Sequence, residues 1–451
     1  MYKQDRSKFS SWERPTPEGR SFNSPSIEHY VQQIAKEIPN NEFRRLFINC
    51  FTNTLDTTVH FVFRNGKPDT YVITGDIEAM WLRDSTAQIW PYLRLSLTAP
   101  EIQDLIVGLI RKQTTFILID PYANAFYNEP KFGIHVTDGT NMKMGVHERK
   151  WELDSLCSHL RLATAYWKRT GDISPFDDRW LKMIASILST FTEQQRRDDH
   201  GSYFFLRETD NPTDTLSNDG FGAPSGYTGM INSSFRPSDD SCSLPFHIPS
   251  NLLARKSLQD LTHLLAALGA LDLSQRSDRL AYQIDRGLRK YSTVISEQWE
   301  EIYCYEVDGL GNSVLMDDAN VPSLLSLPYL EICSLDDPIY QSTREFILSD
   351  LNPFYFRGSM GSGVGSPHTG DSMIWPLALI VQALTSGEST EILDCLRMLL
   401  RSSAGTGLLH ESFHSENPHR YSRAWFAWCN SLFGELVAGI AENQIGLLKE
   451  I

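Results

Sequence analysis

A short polar block built around an Asp or Asn recurs six times in this chain, each time ahead of an apolar helical stretch. The blocks are WLRDSTAQ at Asp84, WELDSLCS at Asp154, RPSDDSCS at Asp240, LMDDANVP at Asp318, HTGDSMIW at Asp371 and AWCNSLFG at Asn430. Successive blocks lie 70, 86, 78, 53 and 59 residues apart, room in each case for an inner helix, a returning outer helix and their loops. Each Asp or Asn is placed to cap the helix that follows. Six helical hairpins with equivalent ends predict an all-α-dominated (α/α)6 barrel, six inner helices ringed by six outer ones, with a few short β-hairpins. The inner-helix N-termini would ring one mouth, and the polar blocks would line it.

Local patterning fits this frame. Residues 1–25 are rich in Ser, Pro and Arg and are expected to wrap the surface as an arm, leaving 26–451 as a single catalytic domain. SIEHYVQQIAKEI opens on Ser26 as an N-cap and is ended by Pro39. A second helix spans 41–55, and VHFVFRNGKPDTYVITG alternates like a hairpin turning at Asn65-Gly66. Further amphipathic helices are expected at 99–116, 155–170, 180–196, 258–271, 277–299, 343–348, 377–384, 390–401 and 429–441. Strand-like text is confined to short pieces such as GSYFFLRE and EIYCYEVDG.

A net charge of -15 argues against nucleic acid and anionic membrane surfaces as partners. The seven cysteines are scattered, with no C-x-x-C, and suit buried thiols in a reducing compartment. The first twenty residues hold no apolar run and no stretch has the length of a membrane span, so a cytoplasmic location is expected.

The chemistry concentrates in the polar blocks. They combine Trp, Arg, His and carboxylates, and planar rings against sugar C–H faces with bidentate groups on hydroxyls favour a carbohydrate ligand. Glycosidic cleavage needs a carboxylic acid for the leaving oxygen and a second carboxylate as nucleophile or as base for a water. FRPSDDS (235–241) supplies two adjacent carboxylates. The repeat assigns Asp240 to capping, where backbone N–H groups would keep it ionised. Asp239 is then the general acid, with the neighbouring charge raising its pKa, and Asp240 is the fallback. Glu411, in the Gly-led loop GTGLLHESFH, is the base, although pairing with Arg420 or Arg423 is the competing role for a loop carboxylate.

Two motifs invite other readings. His410 to His414 spells H-E-x-x-H, a zinc signature that works only when both histidines share one helix face. Gly407 before it and Asn417 and Pro418 after it argue against a helix, so no metal ligands are assigned and His410 and His414 are taken as hydroxyl-binding or supporting groups. GSGVGS (361–366) lacks the G-K-[ST] ending of a phosphate loop and suggests a flexible turn that lets backbone approach a ligand. His159, inside an apolar helix, is expected to be a core histidine.

The blocks TGDIEAMWLRDSTAQIWPY, HERKWELDS, GMINSSFRPSDDS with IPSN, GSPHTGDSMIWP and LLHESFHSENPHRYSRAWFAW, in this order, resemble glycoside hydrolase family 125, the exo-acting α-1,6-mannosidases. The resemblance runs from about residue 28 nearly to the end. It implies an (α/α)6 barrel, an inverting mechanism without metal or other cofactor, and removal of terminal α-1,6-linked mannose from the non-reducing ends of mannose-containing oligosaccharides. The family's acid falls on the RPSDD motif and its base on Glu411. The sugar-binding ring is expected from Trp81, Arg83, Asp84, His147, Arg236, Asp240, His368, Asp371 and Arg423. The insert NPTDTLSNDGFGAPSG (211–226) and the CSLPFH stretch depart from the pattern and could reshape the rim. The alternatives are another inverting glycosidase or phosphorylase on the same toroid, and a catalytically silent sugar-binding protein. No obligate protein partner is evident.

Overall fold

A computed structural model describes residues 11–451. The first ten residues of the expected arm lie outside the described residues, and the remainder packs on the surface. Trp12 N donates to Thr406 O at 2.6 Å, and Arg14 pairs with Glu28 and with Asp56. Helix α1 (Pro25–Lys36) is capped by Ser24, which accepts from Ile27 N, rather than by Ser26. Pro25 has no N–H to satisfy and so takes the first helical position, moving the cap two residues further out. Asn40 caps α2 (Asn41–Thr57), accepting from Glu42 N and Phe43 N.

Strands β1 (Val59–Arg64) and β2 (Lys67–Val72) form the expected hairpin with Arg64 opposite Lys67. Asn65 and Gly66 both take left-handed φ, 51° and 72°, which a two-residue turn between right-twisted strands requires. The later helices are α3 (Leu82–Ile89), α4 (Pro100–Ile119), α5 (Leu153–Thr170), α6 (Asp178–Glu193), α7 (Ile248–Ala267), α8 (Leu271–Tyr291), α9 (Pro338–Ile347), α10 (Pro376–Leu384), α11 (Ser389–Ser402) and α12 (Ala427–Asn443).

The helices sort by burial. In α10 the run from Pro376 to Val381 is buried without a polar break, the mark of a helix enclosed on all sides. Helix α8 instead buries one stripe, including Ser277, Leu280, Ala281 and Ile284, and leaves its charged face outside. Packing follows: α10 lies on α12, α12 on α3, α3 on α5 and α5 on α7, while α2, α8 and α11 back onto α12, α7 and α10. One large hydrophobic cluster extends from Ile27 to Leu448, and a small second one joins Ala79, Trp81, Ala125 and Tyr127.

The capping role predicted for the repeated Asp and Asn is not found. Asp84, Asp154 and Asn430 lie inside the first turn of α3, α5 and α12, while Asp240 and Asp371 precede α7 and α10 by several residues. The N-cap positions are Trp81, Glu152, His247, Trp375 and Phe426. The fourth block breaks the helical repeat: Asp317 accepts from Leu324 N and Leu325 N at 2.9 Å, and turns follow it. The reason is that several helix entries are not free loops. Met80–Trp81 pairs with Ala125–Phe126, which pairs with Val146–Glu148. Phe246–His247 pairs with Glu306–Val307, and Met373–Ile374 pairs with Phe413–His414. These small sheets fix the backbone before α3, α5, α7 and α10, so the acidic side chains are free to turn toward one another.

Three further expectations change. Helix α7 starts at Ile248, ten residues before the expected 258. The predicted helix 277–299 ends at Tyr291, and Thr293–Ser296 pairs with Glu300–Tyr303 instead. The GSGVGS stretch is a strand, Gly361–Val364, paired with Tyr355–Gly358. Its glycines admit protein, not ligand: a Cβ on Gly363 would lie 2.8 Å from Ile374, and one on Gly365 2.2 Å from the Met373 carbonyl oxygen. All seven cysteines are free thiols, as expected, and five are buried.

Candidate active site

The polar blocks meet in a group of charged side chains centred on Arg83. Its Nη1 donates to Glu152 Oε2 at 2.7 Å and to Asp154 Oδ2 at 3.0 Å. Asp84 Oδ2 and Asp239 Oδ1 each lie 3.6 Å from the guanidinium, which stands 5.5 Å from the Trp428 ring of α12. Burial works against the Arg83 charge, but the surrounding carboxylates outweigh it and hold the cation well above its usual range. The same burial raises the acids. Asp84 is pushed up to about 6, with Arg83 offsetting part of the effect. Asp154 is raised, and Glu152 well above the usual carboxyl range.

Asp239 and Asp240 separate in a tight turn. Arg236 N donates to Asp240 O at 2.7 Å and Asp239 N to Arg236 O at 3.0 Å. Asp239 sits at φ 66°, a left-handed conformation that is strained for a residue with a Cβ. The turn points the two carboxylates different ways: the Asp239 side chain is 30% exposed and that of Asp240 3%. Asp240 Oδ1 accepts from Thr213 Oγ1 at 2.8 Å and faces His368 Nδ1 at 3.5 Å. Burial opposes ionisation of Asp240, but His368 and Thr213 prevail and hold it below the usual range. These side chains do what backbone capping was expected to do. His368 is correspondingly pushed up to about 9, burial being outweighed by Asp240, then by Glu411 and Asp239.

The expected upward shift of Asp239 is reversed. Burial does raise it, but a hydrogen bond from Glu152 and the charges of Lys150, Arg83 and His368 overcome that effect and hold the carboxyl below its usual range. Lys150 Nζ donates to the Asp239 carbonyl at 2.8 Å, and Asn124 Nδ2 lies 3.4 Å from its Oδ1.

Glu411 enters from the loop before α12 and is nearly buried. Its Oε2 accepts from Ser422 Oγ at 2.8 Å and its Oε1 from Arg423 Nη1 at 3.4 Å. Arg423 also pairs with Asp76 and lies over Phe426. The anticipated Glu411–Arg423 contact is therefore present, within a group that reaches the Asp239 side: Asp84 interacts with both Asp239 and Arg423, and His368 with both Asp239 and Glu411.

Of the expected sugar ring, Arg83, Asp84, Asp240, His368 and Arg423 join this group. Trp81 and His147 form an adjacent wall with ring centroids 5.1 Å apart, and His147 Nδ1 pairs with Tyr127 Oη at 2.8 Å. Burial lowers His147 to about 4, so it is a neutral hydrogen-bonding ring at neutral pH. Arg236 is engaged elsewhere: its Nε donates to Glu306 Oε1 at 2.6 Å and its guanidinium lies 5.3 Å from the Tyr305 ring. It anchors the turn that carries Asp239. Asp371 is exposed, outside the buried carboxylates. The H-E-x-x-H run is not helical: His410 stacks on Tyr421 at 3.8 Å, and His414 lies in the strand Phe413–His414. His159 is a core residue, paired with Gln113 and with Trp180 Nε1.

The sequence reading did not single out Glu148, Lys150 and Glu152. All three approach Asp239 because the chain from Val146 into α5 is extended, and an extended chain points alternate side chains one way. Arg149 turns to the other side, onto Asp120 at 2.8 Å, and Trp151 Nε1 donates to Asn232 O. The insert 211–226 also reaches the site, through Thr213 on Asp240 and through Asp214, which pairs with Lys150 at 2.6 Å and Arg207 at 3.0 Å.

A family model described as metal-independent alpha-mannosidase (GH125) matches residues 40–438. Meiotically up-regulated gene 157 protein of Schizosaccharomyces pombe is 40% identical over 459 aligned positions, covering 97% of this chain and 90% of the relative. A metal-independent alpha mannosidase of Streptococcus pneumoniae, solved in a non-productive complex with alpha-1,6-mannobiose, superposes with a TM-score of 0.90 at 42% identity, covering 94% of this chain and all (100%) of the other. A bacterial glucoamylase complexed with acarbose shares the fold at a TM-score of 0.56 and 11% identity, over 92% of this chain and 58% of its own. No helix of the described residues is long and apolar enough to cross a membrane.

Proposed function

Since this chain belongs to glycoside hydrolase family 125, the metal-independent α-mannosidases, we propose that it is an exo-acting α-1,6-mannosidase that inverts anomeric configuration, with Asp239 as general acid and Glu411 as general base. The alternation of helix entries supports the finer architecture of a closed (α/α)6 toroid, with residues 317–331 filling the place between α7 and α10: Lys256 of α7 faces Glu331 at 3.8 Å, and Ser366 Oγ donates to Asp318 at 3.1 Å. On this reading 26–451 acts as one catalytic unit.

The observation that carries the assignment is the pair of carboxylates, Asp239 on its strained turn and Glu411 on its Ser422–Arg423 cradle, both close enough to His368 to raise it. Glu411, an acceptor through both oxygens, takes a proton from a water as that water's oxygen bonds to C1. Asp239 protonates the departing glycosidic oxygen as the C1–O bond breaks. His368 and Arg423, both cationic, and the Trp81–His147 wall orient the mannose. The α-1,6 linkage is supported by the mannobiose held by the pneumococcal relative. Such a mechanism needs the two carboxyl groups roughly 6.5–9.5 Å apart with sugar bound, leaving space for the water.

Time-resolved proton NMR on α-1,6-mannobiose, with EDTA present, tests the reading. Early β-mannose from the wild type and none from Glu411→Gln is the expected result. Early α-mannose overturns inversion. Turnover only of another sugar moves the protein to the second reading, a toroid glycosidase of different specificity. Mannose binding without turnover identifies a silent sugar-binding protein.

A further inference from the structure

We propose that Glu152 is a positioning residue that holds, on its own carboxyl, the proton that Asp239 delivers to the leaving group. The proposal rests on the acid role assigned to Asp239 above. It also accounts for an acid whose own surroundings favour its ionised form.

The argument begins with a count of charge. Asp84, Glu152, Asp154 and Asp239 all lie within 3.6 Å of one guanidinium, Arg83. The other cations that reach the group are each shared with further acids: Lys150 with Asp214 at 2.6 Å and Glu148 at 3.7 Å, Arg423 with Asp76 and Glu411, and His368 with Asp240. Four carboxylates crowded on one guanidinium, three of them buried, cannot all ionise against that much positive charge, so the group retains protons at neutral pH. Glu152 is the member best built to keep one next to Asp239. Its side chain is 0% exposed, and its Oε2 is occupied by Arg83 at 2.7 Å and by Ser155 Oγ at 2.8 Å. Its Oε1 is buried without a donor, Glu152 and Asp239 sit on the two terminal nitrogens of the one guanidinium, Nη1 at 2.7 Å and Nη2 at 3.6 Å, and the interaction between the two carboxyls pulls Asp239 down. Two carboxyls joined in this way share a proton that neither donates alone. Burial, only partly offset by Arg83, keeps that proton on Glu152 while the site is empty of sugar.

Asp239 is the most exposed member of the group, its side chain 30% exposed against 0% for Glu152. When a glycosidic oxygen takes its place against Asp239, the proton moves from Glu152 Oε1 along the hydrogen bond to Asp239, and from Asp239 to the oxygen as the C1–O bond breaks. Glu152 is left as a carboxylate paired with Arg83. The water that attacks C1 gives its proton to Glu411. Glu411 releases that proton to solvent, and the Glu152–Asp239 pair takes one back, closing the balance.

Glu152→Gln keeps the shape, the acceptor toward Arg83 and a donor toward Asp239, but has no proton to give. Steady-state kinetics across pH on α-1,6-mannobiose, and on 2,4-dinitrophenyl α-mannoside, whose leaving group departs without protonation, read the difference. The expected result for E152Q on mannobiose is a kcat at least about tenfold lower at pH 7, within the roughly 10²–10⁴-fold reach of general acid catalysis. Its KM stays within about twofold, and the alkaline limb of kcat/KM moves acidward by about one pH unit, a tenfold change in proton affinity. Its rate on the dinitrophenyl mannoside stays within about twofold of wild type, which also shows that the variant is folded. Glu152→Asp, which retains a dissociable proton, is expected to recover part of the mannobiose rate. A wild-type pH profile for E152Q on mannobiose, an equal loss on both substrates, or an E152D no better than E152Q would overturn the proposal. Asp239→Asn on the same two substrates tests the underlying assignment separately: if its loss does not depend on the leaving group, Asp239 is not the acid, whatever Glu152 does.

Discussion

Replacing Asp84 by Asn measures how much stability the buried charge cluster costs. The Asp84 side chain is only 6% exposed. Burial lifts its carboxyl from 3.8 to about 6, with Arg83 pulling the value down and Asp239 pushing it up. Because the folded value lies above the unfolded one, the folded protein holds this proton more tightly than the unfolded chain does. Asp84 therefore carries no penalty below its unfolded pKa. The penalty grows as the pH rises through the interval and is complete above the folded value near 6. The rise from 3.8 to about 6 makes the full penalty about 3 kcal/mol, of which about 2 kcal/mol develops between pH 4.5 and pH 8. Asn has nearly the same shape and cannot ionise. Urea unfolding of both proteins at the two pH values isolates the effect, since every other titrating group cancels to first order. D84N is expected to gain about 2 kcal/mol on the wild type between pH 4.5 and pH 8, while losing activity, because the same carboxylate lies beside Arg83 in the site. A stability difference that is the same at both pH values, or one that moves against D84N as the pH rises, refutes the electrostatic reasoning.

Other expectations follow from single contacts. Glu411→Gln should lower kcat on α-1,6-mannobiose by roughly 10²–10⁴-fold with little change in KM; a change confined to KM would make Glu411 a binding residue. Arg236→Met leaves Glu306 buried without its cation and should cost about 3–5 kcal/mol in urea unfolding, whereas a near-neutral result would mean that Ser243 N and Leu244 N, which donate to Glu306 Oε2 at 2.9 and 3.0 Å, suffice. Gly365→Ala places a Cβ 2.2 Å from the Met373 carbonyl and 2.6 Å from the Phe356 ring. Its overpacking cost of about 1–3 kcal/mol should appear as a lowered melting temperature. A crystal structure with a non-hydrolysable mannoside should show Asp239 and Glu411 carboxyls roughly 6.5–9.5 Å apart, and a separation near 5 Å would instead favour retention.

The part of this protein legible from residues alone was the part written in short-range pattern. The Asn65-Gly66 turn and the helices at 41–55 and 377–384 each follow from a local preference that tertiary structure had no reason to override, while the cap on Asn40 and the burial of α10 on all sides come only with the structure. The repeated acidic blocks were also visible, but their role was misassigned. A capping Asp and a carboxylate aimed at a distant arginine look identical in sequence. Only the pairing of Met80–Trp81 with Ala125–Phe126, forty-five residues on, shows that the backbone before α3 is held by strand bonds and that Asp84 is spared from capping. The same limit hid Glu152. Its neighbours Lys150 and Glu148 share its parity on an extended chain, a period-two signal short enough to pass for a charged loop before a helix. What no local pattern could express is the balance of charge: the HERKWELDS block taken alone is nearly neutral, yet folding sets Glu152 and Asp154 beside Asp84 and Asp239 around a single arginine. Burial raises the Asp239 carboxyl, and it is Glu152 together with the charges of Lys150, Arg83 and His368, not Asp240 beside it, that bring it below its usual range, so the acidity of the site is set by residues far apart in the chain.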